Sequence, residues 1–193
     1  MEFNKPVSNP MLVGCLELLK AEDSTEHRQM FVNELQSAKL LAPALIEPAP
    51  EEDAEGNLKL IPGSKIQFLM LSTQDGKQFF MGFTDDMEYQ KWAEHNKPLP
   101  TFALQFDDYV GMMLNKDAQG NPCPALGFVI NPYGANLVVP REMIAGIMGA
   151  RLKQAAQSAG PRPAQRLRMP SASNTATAPS NLTGNPGDGA EEK

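Results

Sequence analysis

The stretch KIQFLMLSTQDGKQFFMGFTD, residues 65 to 85, constrains the fold of this chain more than any other feature. Two apolar runs flank a short polar segment that contains Asp75 and Gly76. An Asp-Gly pair between apolar runs is a strong signal for a β-hairpin, because both residues tolerate the positive φ that tight hairpin turns need. The stretch therefore predicts two antiparallel strands, and with them a fold that contains a β-sheet.

Helical patterns lie on both sides of this hairpin. Apolar residues recur at helical spacing in several segments, and a short linker between the first two makes them an antiparallel helix pair. The predicted helices span residues 10–23, 23–40, 85–95, 107–115 and 140–157. Asp23, Asp85 and Asp107 are the predicted N-caps of the second, third and fourth helices, because a carboxylate accepts hydrogen bonds from the free N–H groups of a helix start.

The order of the predicted elements indicates the fold class. Extended segments are expected at 40–48 and 101–106, and a second hairpin is expected at 127–139. Hairpins outnumber possible βαβ crossovers in this order. We therefore predict an α+β domain in which helices pack on a mixed, mostly antiparallel sheet, with a helix pair at the N-terminus.

Residues 158–193 are predicted to form a disordered, low-complexity tail, and residues 10–157 a single folded domain. From Pro161 onward the sequence PRPAQRLRMPSASNTATAPSNLTGNPGDGAEEK has almost no large apolar residues. Ordering such a segment costs about 1–2 kcal/mol per residue in backbone entropy, and little apolar surface is available to offset that loss.

The charge distribution argues against nucleic acid as a partner. From Arg151 onward, six Lys or Arg and three Asp or Glu give a net charge of +3. Because the whole chain carries −6, residues 1 to 150 carry −9. An acidic domain repels phosphate backbones. No run approaches the ~18 apolar residues that a membrane helix needs, and MEFNKPVSNP lacks the features of a signal peptide. The expected location is the cytoplasm, away from membranes, with reduced thiols.

Residue types that bind metals are present, but their spacing does not fit a metal site. Cys15 and Cys123, with His27 and His95, form no close pair such as C-x-x-C or H-x-x-x-H. Residues 115–126 loosely fit the first half of a calcium loop, but the last position is a leucine where a bidentate Glu is needed. We therefore predict no metal and no cofactor, and we expect Cys15 in the core.

Catalytic motifs are not found either. The sequence has no G-x-S-x-G, no phosphate-binding glycine loop and no G-x-G-x-x-G. The pairs Asp85–Asp86 and Asp107–Asp108 are explained as helix starts. We predict that the protein is not an enzyme. The alternative is a thiol-dependent or sulfur-handling enzyme that uses Cys123, a loop cysteine between prolines. A reactive thiol would need a nearby cation or helix N-terminus to lower its pKa. Alkylation rates at several pH values test this alternative.

The stretch GFVINPYGANLVV, residues 127 to 139, reads as two strands around a turn. Pro132 presets φ to about −65°, and Gly134 can take a positive φ. Asn131 can bond to nearby backbone N–H groups, as asparagine does in Asx turns. These roles explain the turn without a ligand. Tyr133 is not explained in this way, and an exposed aromatic side chain at the tip of a turn suits a protein interface.

Two motifs, taken together, resemble a known family. FTDDMEYQKW at 83–92 follows the pattern FT-D-x-x-E-x-x-x-W, and GFVINPYG at 127–134 follows G-x-x-I-N-P-x-G. In this order, after a helical start, they resemble the SseB-type N-terminal domain, named for enhanced serine sensitivity, over about residues 10–150. The resemblance implies an α+β domain in a bacterial protein. Many relatives carry a second, C-terminal domain, whereas a low-complexity segment follows here.

A clear fold signal without catalytic motifs predicts a non-enzymatic protein-interaction or regulatory module in the cytoplasm. The expected protein-binding face consists of Thr84, Asp85, Asn131 and Tyr133. We expect Thr84, Asp85 and Tyr133 to be exposed on it. The expected partner is a protein of unidentified type, and the sequence leaves the oligomeric state open.

A further alternative is a binder of amino-acid-type small ligands. The family resemblance to serine-sensitivity proteins motivates it. No arginine that could hold a ligand carboxylate occurs in the predicted strands or their turns, since Arg28 and Arg141 are the arginines that precede Arg151.

Overall fold

The computed structural model describes residues 2–54, 58–116 and 120–158. Over these residues the elements follow the order β1-α1-α2-β2-β3-β4-β5-β6-β7-α3-β8-α4-β9-β10-α5. The helices are α1 (Pro10–Ala21), α2 (Thr25–Ser37), α3 (Asp86–Ala93), α4 (Phe106–Leu114) and α5 (Arg141–Ser158). The strands are β1 (Glu2–Phe3), β2 (Lys39–Glu47), β3 (Glu51–Glu52), β4 (Leu58–Lys59), β5 (Lys65–Phe68), β6 (Met70–Ser72), β7 (Gln78–Gly82), β8 (Thr101–Gln105), β9 (Ala125–Ile130) and β10 (Leu137–Pro140).

Two four-stranded sheets form the centre of the domain. The first has the order β1-β8-β2-β5, with antiparallel neighbours throughout. The second has the order β10-β9-β7-β6, in which β7 and β9 run parallel and the other pairs antiparallel. Leu41 of β2 and Phe83 after β7 exchange backbone hydrogen bonds of 2.8 and 2.9 Å, which join the two sheets. The predicted α+β class, with a mostly antiparallel arrangement and an N-terminal helix pair, is confirmed.

The hairpin predicted around Asp75 and Gly76 is present, but its first strand is divided between the two sheets. β6 pairs with β7 across the turn, whereas β5 pairs with β2 in the other sheet. Between them, the N–H of Leu69 donates to the carbonyl of Pro43 at 3.1 Å. Of the two turn residues, it is Gly76 that takes a positive φ, at 79°.

The N-cap of α2 differs from the predicted one. The helix begins at Thr25, so Ser24 occupies the cap position and its hydroxyl accepts the N–H of His27 at 3.1 Å. The predicted cap, Asp23, lies one residue too early and pairs with the Arg28 guanidinium instead. That pair holds the pKa of Asp23 below its usual value.

The start of α4 also differs from the prediction. Because the helix begins at Phe106, Asp107 lies inside its first turn and cannot precede it as a cap. The N-cap is Gln105, whose backbone N–H donates to the Asp108 carboxylate at 2.9 Å. Asp107 pairs with Arg151 of α5, so it ties two helices together.

Hydrophobic side chains are buried on both faces of the central strands. In β9, Phe128 and Ile130 belong to a large cluster formed with α1, α2, α4 and α5, whereas Val129 belongs to a second cluster. Tyr89 and Trp92 of α3 complete the second cluster. The alternation follows from the two-residue repeat of a strand. Trp92 is 5% exposed and is therefore a core residue.

Cys15 and Tyr109 place polar side-chain groups in the large cluster. Cys15 is buried there as predicted, and burial raises the pKa of its thiol. The Tyr109 hydroxyl donates to the carbonyl of Met81 at 3.0 Å. Burial raises the pKa of this phenol, so it remains a protonated donor at neutral pH.

Helix α5 ends at Ser158, the last residue that the structure describes. Apart from Ser158, the predicted tail at 158–193 lies outside the described residues, and the domain boundary at 157 stays a prediction. Among the helices described, none is both long enough and apolar enough to cross a membrane.

Candidate functional site

Two segments far apart in the sequence meet through Thr84 and Asn131. Thr84 follows β7 and Asn131 follows β9, and these parallel neighbours place their carboxyl ends side by side. Oδ1 of Asn131 accepts the N–H of Thr84 at 2.9 Å, and its Nδ2 donates to the Thr84 hydroxyl at 2.9 Å. Thr84 is 0% exposed and Asn131 is 3% exposed. We call this pair the Thr84–Asn131 clamp.

The clamp corrects two expectations. Thr84 is not exposed, because its backbone and its hydroxyl are both hydrogen-bonded to Asn131 at the buried ends of the strands. The described hydrogen bonds of the Asn131 side chain do not lie within its own turn, because the side chain reaches Thr84, 47 positions away. The contribution of both residues to protein binding stays a prediction, and their position suits them to support neighbouring side chains.

The turn after β9 takes its shape from asparagines. Asn131 has a φ of 50° and Asn136 a φ of 48°, in the left-handed region that asparagine tolerates better than most residues. The carbonyl of Asn131 accepts the N–H groups of Gly134 and Asn136, both at 2.8 Å. Gly134 was predicted to have a positive φ, and this is wrong because the two asparagines take that conformation instead.

Gly134 lies where the Glu88 side chain closely approaches the turn. A Cβ at position 134 would lie 2.2 Å from Oε2 of Glu88. Oε1 of Glu88 pairs with Lys91, and Oε2 is buried with no hydrogen-bond partner among the described residues. The turn and α3 are therefore packed directly against each other.

The Asn9 side chain joins the start of α1 to the Thr84–Asn131 clamp. Its Nδ2 donates to the carbonyls of Thr84 and Lys39, both at 2.7 Å. Sequence reasoning missed this residue, because an asparagine before Pro10 suggests a helix cap, and its side chain caps nothing here. Its partners lie 30 and 75 positions away, so no local pattern could have identified them.

Asp85 begins α3 beside the clamp and confirms its predicted role as N-cap. One carboxylate oxygen accepts the N–H of Glu88 at 2.9 Å, and the other accepts the Thr84 hydroxyl at 2.9 Å. The expectation that Asp85 is exposed is corrected, because its side chain is half-buried and both oxygens are used within the domain. The next residue, Asp86, is exposed.

Tyr133 stands at the tip of the turn and is 46% exposed, as expected. Its ring stacks on His95 with 5.5 Å between centroids, and its hydroxyl lies 3.5 Å from Nδ2 of Asn96. The turn is thereby held against the end of α3. On the same helix, Met87 is 75% exposed. We call the surface formed by Asp85, Met87 and Tyr133 the clamp face.

A groove runs along α1 beside the clamp face. Its other wall is formed by the start of α3 and by Asn131, Gly134 and Ala135 of the turn after β9. Three adjoining cavities of about 400, 420 and 520 Å³ make up the groove. The first and second share Lys20 and Ala135, and the second and third share Glu17 and Asp85. We call it the α1 groove.

Cys123 lies in the loop before β9 and is half-buried. The Arg141 guanidinium donates to the carbonyl of Cys123 at 2.9 Å and to that of Ala125 at 2.7 Å. The described contacts of His27 lie at the start of α2, and those of His95 lie at the end of α3. Within the ranges that the structure covers, no group of His, Cys, Asp and Glu could hold a metal ion.

Together, the fold and the site define an α+β domain in which a buried polar pair joins the ends of two parallel strands to a helix start and a hairpin turn. The chain belongs to the SseB protein N-terminal domain family, whose family model matches residues 12–146. This match confirms the resemblance identified from the two motifs, both of which it includes. Neither the curated proteins nor the solved structures compared with the chain gave a match.

Proposed function

We propose that this domain is a non-enzymatic protein-interaction or regulatory module that acts in the cytoplasm. The observation that carries the proposal is the clamp face. There, Met87 and Tyr133 are exposed next to the buried, hydrogen-bonded Thr84–Asn131 clamp. Side chains held in place before binding lose little conformational entropy when a partner covers them. Aromatic residues and methionine are also enriched at protein interfaces.

The base of the clamp face supports the same interpretation. Thr84, Asp85 and Asn131 direct their polar atoms at one another and at the backbone. Such bonds fix the positions of α3 and the turn, and they do not direct a nucleophile or a general base towards solvent. Polar residues that act in this way are expected in a binding module whose surface must keep one shape.

Affinity capture tests the proposal with the double variant Met87→Ser and Tyr133→Ala. The full-length tagged protein is incubated with an extract of the cells that produce it, and the captured proteins are quantified by mass spectrometry. We expect at least one protein that the wild type captures to fall about tenfold or more in the double variant, because exposed anchor side chains carry much of an interface's affinity. Both residues are exposed, so we expect the variant to remain folded.

Leu152→Ala is the matched control for this experiment. It removes an exposed apolar side chain, 69% exposed, from α5 instead of from the clamp face. We expect this control to capture the same proteins as the wild type. If the double variant also captures them in unchanged amounts, the proposed function is wrong.

The two alternatives remain predictions without a supporting contact among the described residues. For a thiol enzyme, neither histidine has a described contact with Cys123. For an amino-acid binder, Arg28 lines the apolar end of the α1 groove, but its guanidinium is already paired with Asp23. We therefore propose neither of them.

A further inference from the structure

We propose that the α1 groove binds a segment of a partner protein that carries a large apolar residue and a basic residue. The inference rests on the proposed function, because it names the kind of partner that the interaction module would hold. Two properties of the groove support it: an apolar cavity at one end and unpaired carboxylates at the other.

The apolar end of the groove is a cavity of about 400 Å³ between α1, α2, β10 and α5. Half-buried apolar side chains converge there: Leu19, Val32, Leu137 and Met143. Each packs on the large core cluster and leaves part of its surface facing the cavity. A leucine or an aromatic residue of a partner would remove that surface from water, which is how anchor residues stabilise interfaces.

The acidic end lies where α1 begins and meets α3. Glu17, Asp85 and Asp86 line this cavity of about 520 Å³. The Asp85 carboxylate is used within the domain, but Glu17 and Asp86 are exposed and have no ion-pair partner among the described residues. A basic side chain of a partner would therefore find two free carboxylates, in a region of the chain that carries a net −9 over residues 1 to 150.

The two ends of the groove adjoin along α1. Glu17 lines the acidic and the middle cavity, and Lys20, nearly one helical turn further on, lines the middle and the apolar cavity. Asp86, at the start of α3, lines the acidic cavity. A basic side chain of the partner is therefore attracted by Glu17 and Asp86 and repelled by Lys20.

Selection from a library of random twelve-residue peptides displayed on phage tests the proposal against the immobilised full-length protein. We expect the enriched sequences to share a large apolar residue and a Lys or Arg. A labelled synthetic copy of the most enriched sequence should bind in solution, as measured by fluorescence anisotropy, and more weakly as salt is raised. Enrichment of peptides that lack either the apolar or the basic residue, or enrichment of no peptide, would overturn the proposal.

A charge exchange tests the acidic end separately. In the double variant Glu17→Lys and Asp86→Lys, we expect the selected peptide to bind about tenfold or more weakly. A peptide in which Glu replaces the basic residue should show the reverse preference and bind the variant better than the wild type. Thermal unfolding checks that the variant is folded, and the single variant Glu17→Lys repeats the test without a change in α3. Equal binding of both peptides to both proteins would overturn the proposal.

Filling the groove tests the location. Ala135 is exposed and lines both the apolar and the middle cavity, so Ala135→Trp should block the groove and reduce peptide binding at least tenfold. Ala155→Trp in α5 is the matched control, because Ala155 is also exposed and lies outside the groove, and it should bind as the wild type does. Unchanged binding to Ala135→Trp would place the peptide elsewhere and overturn the proposal.

The outcomes separate this inference from the proposed function. If a protein is captured through Met87 and Tyr133 but its contact segment lacks an apolar and a basic residue, the groove assignment is wrong and the interaction function stands. If the double variant captures everything that the wild type captures, the interaction function itself is wrong.

Discussion

Replacing Asn131 by alanine is expected to lower the free energy of unfolding by about 3 kcal/mol. The change leaves the buried N–H of Thr84 without its acceptor and removes a bond to the Thr84 hydroxyl. A buried group left without a partner costs about 1–3 kcal/mol. Alanine at a φ of 50° adds about 1 kcal/mol of backbone strain. Urea unfolding followed by circular dichroism measures the sum.

Asn136→Ala is the matched control for that experiment. Asn136 has nearly the same φ, 48°, but it is exposed and forms no side-chain hydrogen bond among the described residues. We expect a loss of about 1 kcal/mol, which is the strain contribution alone. The difference between the two variants isolates the hydrogen bonds of the clamp. Equal losses would mean that those bonds contribute nothing to stability.

Among the described glycines, Gly127 is expected to lose the most stability on replacement by alanine, about 4 kcal/mol or more. An added Cβ would lie 2.1 Å from the carbonyl oxygen of Val139 in the paired strand β10. Backbone cannot move aside as a flexible side chain can, so the strand pair must separate. The φ of Gly127, 152°, is also a conformation that residues with a Cβ rarely adopt.

Gly146→Ala gives the comparison for this variant. Gly146 lies inside α5, and nothing stands within 4 Å of the position that its Cβ would take. Alanine is a better helix former than glycine by about 1 kcal/mol, so we expect a small gain in the same urea measurement. If Gly127→Ala were as stable as the wild type, the close packing of β9 against β10 would be wrong.

The two sequence motifs turn out to be the two sides of one contact. Thr84 and Glu88 belong to the first motif, and Asn131 and Gly134 belong to the second. Thr84 bonds to Asn131, and Glu88 packs against Gly134. The residues that identify the family are therefore explained by the way that α3 and the turn after β9 fit together.

Features that depend on neighbouring residues could be predicted from the sequence. Asp85 was identified as a cap because a cap acts on a residue three positions along the chain. Gly76 was identified as a turn residue because hairpin turns need a positive φ at a defined place. The fold class followed from such local signals and from their order.

Features that depend on distant partners could not be predicted. The strand containing residues 65–72 changes sheets at Leu69 because Pro43, on another strand, accepts its N–H. Asn131 was assigned to its own turn because a short polar side chain usually bonds nearby, and its actual partner is 47 positions away. No pattern within one segment records which strand will lie beside it, so these contacts became visible only in the folded domain.

Hydrogen exchange of the full-length protein, alone and with a captured partner, tests most directly whether the clamp face and the α1 groove are the binding surface. We expect the amides of α1, of the start of α3 and of residues 131–136 to exchange more slowly in the complex, with the C-terminal half of α5 unchanged. Protection confined to α5, with α1, α3 and the turn exchanging as in the free protein, would contradict it.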